Sequence, residues 1–190
     1  MEPVYQAEKT FTKIDFVKSP LPKGEYESCV FTYCTFADVN LSEYKFFECS
    51  FVGCNLTMAN LTKTAFRDAK FTDCKMLGLR FDLCNPFTFS VSFDNCMLDH
   101  SSFFKTKLRK APFKNSKLHG VDFTECDLTG AILFNCDLLR ATFENSILEK
   151  ADFRMSFNYS IDPTVNKIKK AKFSLPSVAG LLDQYDIEIS

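Results

Sequence analysis

The chain has 190 residues, a formal net charge of −1 and 46% hydrophobic residues, which suits one soluble domain with a substantial core. The slightly acidic balance, with basic residues not interleaved with aromatics, argues against direct nucleic-acid binding, and no apolar run approaches the length of a membrane span. Phenylalanine occurs 22 times and tryptophan is absent, as expected of a narrow interior of identical layers in which a flat ring stacks on its copy about 4.8 Å away.

The N-terminal segment, residues 1–25, places Phe11, Phe16 and Leu21 on a five-residue grid, with Ile14 between them. Ser19-Pro20-Leu21-Pro22-Lys23-Gly24 breaks strand chemistry, so this segment reads as a degenerate first coil that caps the more regular repeats. Met1-Glu2-Pro3 opens no basic, apolar, cleavable leader, and a cytoplasmic location is expected.

From Phe31 to Phe81 a bulky residue returns at every fifth position, through Phe36, Leu41, Phe46 and Phe51. On an α-helix a step of five turns about 140° and smears such residues around the circumference. On a straight strand an odd step flips the side chain each time. The chain must therefore turn once per repeat. A second column agrees, because a small residue such as Cys29, Cys34, Ala59 or Thr64 stands two positions before most of the bulky ones. Both point inward from a strand of about three residues before the backbone bends. Repeats of this kind stack into a solenoid.

Between Phe81 and Phe93 the grid slips by two residues. Pro86 falls on a bulky site, and residues 85–92 are expected to form a small bulge, with Phe87 and Phe89 either packed over it or exposed as a contact point. The grid resumes from Phe93 to Phe153, with Phe and Leu alternating through Phe103, Leu108, Phe113, Leu118, Phe123 and Leu128. Like stacks on like only if a coil has an even number of faces. Four faces of five residues put Phe103, Phe123 and Phe143 in one column and Leu108, Leu128 and Leu148 in another.

Units such as Val121-Asp122-Phe123-Thr124-Glu125, Cys126-Asp127-Leu128-Thr129-Gly130 and Ala151-Asp152-Phe153 resemble the Ala-(Asp/Asn)-Leu-x-x pattern of pentapeptide-repeat proteins. The resemblance covers residues 26–160 and implies an all-β fold, the right-handed quadrilateral parallel β-helix. All nine cysteines fall in the small inward column, where a compact apolar side chain belongs. Their spacing includes no Cys-x-x-Cys, so packing is favoured over metal, and free buried thiols imply a reducing compartment. His100 and His119 fall on one face in successive coils near Asp99, a weak metal hint set against ordinary solvated residues. No nucleophile, phosphate loop or cofactor motif can be named, so neither enzymatic activity nor a cofactor is expected.

Beyond Phe153 the grid fades, and residues 161–190 are expected to cap the stack. A short helix after Ser174 is predicted from Pro176 and the spacing of Val178, Leu181, Leu182 and Tyr185, followed by strand-like alternation through Tyr185-Asp186-Ile187-Glu188-Ile189. The tail resembles that of the quinolone-resistance, Qnr-type branch of the family, which implies a homodimer through Leu175, Val178, Leu181, Leu182, Tyr185 and Ile187. A purely intramolecular cap is the alternative. The same resemblance implies a DNA-mimicking rod that binds DNA gyrase or topoisomerase IV and protects it from quinolones, with a general interaction scaffold as the rival.

Charge departs from the simplest mimic. Lys105, Lys107, Arg109, Lys110, Lys114 and Lys117 form a basic stretch without an acid. Asp122, Glu125, Asp127, Asp137, Glu144, Glu149 and Asp152 then stand against Arg140 and Lys150 alone, a local balance of minus five. This acidic band is the expected partner-binding region, its bland alternative being solvated charge with Lys107 stacked over Asp127 as a weak pair.

Overall fold

The computed structural model describes residues 3–185 and 187–188. Its backbone winds as a quadrilateral parallel β-helix, right-handed, in about seven turns. Layers pair in parallel at a spacing of 20 residues, with Phe31 opposite Phe51 and Phe46 opposite Phe66. The four faces take their names from Phe31, Phe36, Leu41 and Phe46. The Phe31 and Phe46 faces carry the regular strands, such as Val30–Thr32 with Ser50–Val52 and Gly24–Glu27 with Lys45–Phe47. The other two faces meet through single bridges such as Asn55↔Lys75 and Ser102↔Asp122.

The turn demanded by the five-residue period is visible in the backbone. The second residue after nearly every bulky one takes a left-handed conformation, as at Tyr33, Asp38, Glu43, Gly53 and Lys63. A positive φ costs a non-glycine residue about 1–2 kcal/mol, so the layer above must hold each corner in place. It does so by main-chain bonds, for example from Tyr33 N–H to the Val52 carbonyl at 2.8 Å.

Inside, the bulky residues form four columns. Phe11, Phe31 and Phe51 stack at 4.8 Å between successive ring centres, and Phe103, Phe123 and Phe143 stack at 5.4 and 5.1 Å. Neighbouring columns meet edge to face, as Phe103 meets Phe113 at 88°. Each fully buried ring contributes about 1.5–3 kcal/mol, and the edge-to-face pairs add to this. Leu133, which breaks the Phe–Leu alternation, sits in register above Phe113 and is buried.

All nine cysteines are free and buried. Cys34, Cys54, Cys74, Cys96 and Cys136 share one inner corner, and each Sγ donates to the carbonyl of a bulky residue one coil below, Cys54 to Phe31 at 3.3 Å and Cys136 to Phe113 at 3.4 Å. Thr64, Ser146 and Ser156 do the same with their hydroxyls, at 2.7, 2.8 and 2.6 Å. The small inward site thus selects for a donor as well as for size.

Within residues 1–25 the chain already pairs as a coil. Val4–Ala7 lies alongside Gly24–Glu27, and Thr10–Thr12 alongside Val30–Thr32, while Phe16 and Leu21 are buried. At the slip, Ala69 pairs with Val91, 22 residues on. Pro86 is exposed and does not fill the bulky site it falls on. Phe89 takes that place, half-buried, with its ring 6.5 Å from Phe66 and 6.4 Å from Phe81, while Phe87 stays 79% exposed.

After Ser174 the helical segments are 3₁₀, Leu175–Leu181 and Asp183–Tyr185. Ser174 stands at the N-cap position but its side chain makes no cap bond. The tail docks on the last coil: Ile161 N–H bonds the Gly180 carbonyl at 2.8 Å, and Leu181 packs against the core. Gly180 is required there, since a Cβ would come 2.0 Å from the Tyr159 carbonyl oxygen. Asp186 and Ile189 of the expected strand-like segment lie outside the described residues; Ile187 and Glu188 are exposed and irregular.

Candidate interaction surface

The seven acids of the C-terminal band are distributed over all four faces. Asp122, Glu125 and Glu144 lie on the Leu41 face and Asp127 and Glu149 on the Phe46 face, while Asp137 and Asp152 lie on the other two. Four of them hold the repeat's own turns. Asp122, Asp127, Asp137 and Asp152 each accept the backbone N–H two residues on, from Thr124, Thr129, Leu139 and Arg154. Short side chains of this type bond their own backbone in this way and stabilise tight corners.

Neighbouring cations occupy most of these carboxylates. Arg109 Nε lies 2.6 Å from Asp127, which is 7% exposed. Lys107 is in backbone register with Asp127 but does not take its carboxylate; the longer, forked Arg109 reaches it diagonally instead. Burial works to raise the Asp127 pKa, and donation from Thr129 and Arg109 more than offsets it, leaving it below the usual carboxylate range. Asp152 is held low chiefly by Arg154, at 2.7 Å. Glu125 lies 3.4 Å from Lys105. Glu144 and Glu149 make no ion pair among the described residues.

His119 lies between two layers of carboxylate, with Nδ1 3.2 Å from Asp99 and Nε2 2.8 Å from Asp137. Burial pushes the Asp137 carboxyl up, but donation from His119 and Asn158 outweighs it and holds the group low. His100 instead packs beside Gly120, where a Cβ would come 2.9 Å from its Nδ1. Among the described residues no cluster of three or more His, Cys, Asp or Glu side chains is placed to hold a metal ion.

Of the apolar tail residues, Leu181 and Leu182 are half-buried against their own coil, whereas Leu175, Val178, Tyr185 and Ile187 are exposed, Leu175 by 89%. The sequence pattern did not single out a further apolar strip. Ile132, Phe134, Leu139, Met155 and Phe157 project outward from the last coils, and Ile132, Phe134 and Met155 border a shallow cavity of about 330 Å³. The signal was available, since large apolar residues stand at outward positions of the grid where Thr, Asn and Asp are usual.

A rod of stacked five-residue faces, with the bulky and small columns buried inside and most of the polar side chains outside, defines the class: a pentapeptide-repeat β-helix. The pentapeptide repeat region family model matches residues 25–88 and 87–153, and the chain belongs to that family. Among solved structures it is similar to two trypsin-treated variants of QnrB1, a plasmid-mediated fluoroquinolone resistance protein. One superposes with a TM-score of 0.59 at 15% identity, covering 98% of this chain and 100% of that one. The other gives 0.59 at 16% identity, covering 97% and 99%. A search of curated proteins finds no match by sequence. No helix among the described residues is long and apolar enough to cross a membrane.

Proposed function

We propose that this protein is a non-enzymatic, DNA-mimicking rod that binds DNA gyrase or topoisomerase IV in the cytoplasm and protects it from quinolones. The observation that supports the reading is the likeness in fold to QnrB1, which extends over 98% of this chain. A duplex-sized rod displaying carboxylates suits a cationic DNA-binding saddle by charge and shape. Two such rods joined through Leu175, Val178, Tyr185 and Ile187 would bring their acidic C-terminal coils to the centre of a homodimer.

The turn-forming aspartates are already engaged, so the carboxylates left to meet a partner are Glu144 and Glu149, together with Glu125, whose only pair among the described residues is an exposed one with Lys105. Gyrase supercoiling in the presence of a fluoroquinolone tests this. The purified protein is expected to restore supercoiled product, and Glu125→Lys/Glu144→Lys/Glu149→Lys to lose most of that rescue with its fold intact by circular dichroism. No rescue at any concentration rejects the proposal. A second reading, an interaction scaffold for another partner, is favoured by the net charge of −1, since a faithful duplex mimic of one protomer's length would carry about 20 net negative charges.

A further inference from the structure

The two-residue slip leaves a gap in the hydrogen-bond ladder of the Phe46 face. On this face the residue before the bulky one donates to the coil below in the regular layers, as Asp127 N–H does to the Thr106 carbonyl at 3.0 Å and Ile147 N–H to the Cys126 carbonyl at 2.9 Å. Lys107, which holds that position in the first complete layer above the slip, bonds only upward through its neighbour: Leu108 N–H reaches the Asp127 carbonyl and Lys110 N–H the Thr129 carbonyl, both within 2.9 Å. Residues 85–90 bond the layer beneath instead, Asn85 N–H to Thr64 and Ser90 N–H to Phe66. Among the described residues, the Lys107 N–H and the Lys107 and Arg109 carbonyls have no main-chain partner. The middle of the rod therefore contains a free parallel strand edge of about three residues.

Two cavities flank this edge, one of about 260 Å³ and one of about 300 Å³, and Phe89 and Lys107 border both. The first is also lined by Lys70, Arg109 and Lys110. Its one acid, Asp68, is engaged with Ser90, which donates to it at 2.8 Å. Lys70, Lys107 and Lys110 are exposed and make no ion pair among the described residues. The notch is cationic and lies one coil below Asp127 of the acidic band, whose carboxylate is taken by Arg109.

We propose that this notch binds an acidic peptide segment in extended conformation, which completes the interrupted ladder as an added strand and sets its carboxylates against Lys70, Lys107 and Lys110. A free phosphate satisfies the ammoniums and the lone N–H but leaves two carbonyl acceptors facing an anion. A peptide main chain supplies both donors and acceptors, the pattern by which strand addition gains affinity. Alternate side chains of such a strand point to the same side, so acids at every second position meet the lysines together.

Fluorescence anisotropy with a fluorescein-labelled Glu-Val-Glu-Val-Glu peptide tests the site in the whole protein. Saturable binding is expected, weakened at least tenfold when the valine nitrogens are methylated or when the peptide is Lys-Val-Lys-Val-Lys, and unaffected by an equal concentration of inorganic phosphate. Lys107→Gln/Lys110→Gln is expected to weaken it through charge. Lys107→Pro is expected to weaken it further than Lys107→Gln, because it deletes the unpaired donor at a position where Pro112 of the next face is already tolerated. Equal binding of the methylated peptide, displacement by phosphate, or full binding by the lysine variants each overturns the proposal.

Discussion

The inward small site shows how much a single side chain must do in this fold. Size alone admits Ala, Ser, Thr or Cys, and the sequence pattern revealed that much. The thiol or hydroxyl donating to a carbonyl one coil below, as from Cys54 or Thr64, was not legible, because the acceptor lies 23 residues away and on the preceding face. Burial pushes the thiols of Cys49 and Cys136 up to about 12 and about 11, so they are neutral near pH 7 and poor nucleophiles. None of the nine cysteines is expected to react with a thiol reagent such as DTNB in the native protein, and all nine on unfolding, as counted by absorbance. Asp127 is the matching case outside. Its folded pKa is lower than its ordinary 3.8, so its contribution is complete above that value and is lost as pH falls below it toward the folded pKa. Asp127→Asn should cost about 1.5–3 kcal/mol near neutral pH, the range for a bond to a charged group. It should also flatten the acid limb of a urea-denaturation series between pH 5 and 2; an unchanged limb refutes this role.

Elements here are three-residue strands and corners, and their existence follows from the five-residue grid because no other regular structure buries it. Two elements resisted. Pro86 stands on a bulky site by counting, yet the chain places Phe89 there, where its ring reaches Phe66 and Phe81. The tail was readable as helical but not as 3₁₀, and it docks with Gly180 against Tyr159. That docking has a sharp test. Gly180→Ala places a methyl 2.0 Å from the Tyr159 carbonyl, so the tail should lift from the last coil. Limited trypsin digestion is then expected to cut at Lys167, Lys169, Lys170 or Lys172 faster than in the wild type, with the far-ultraviolet spectrum of the remaining coils little changed. Equal cleavage rates would mean that the backbone relaxes around the added methyl.

At the scale of the whole molecule, surface charge was fully legible as a list but not as a map. Counting found seven acids in the C-terminal coils, whereas Asp127, Asp137 and Asp152 turn out to be engaged by Arg109, His119 and Arg154. The exposed apolar residues of the cap give the clearest prediction at this scale. If Leu175, Val178, Tyr185 and Ile187 join two rods, sedimentation velocity should report a dimer that Leu175→Glu/Tyr185→Glu converts to monomer. A wild-type monomer at micromolar concentration removes the dimer from the proposed function. The 20-residue offset between paired layers on either side of the slip has a consequence for descent. A segment of that length, copied in tandem, enters the pile without disturbing the layers on either side, because every floor offers the same sockets to the next. The rod can therefore lengthen by gene duplication one storey at a time, and mutation can afterwards repaint the outside of each storey separately.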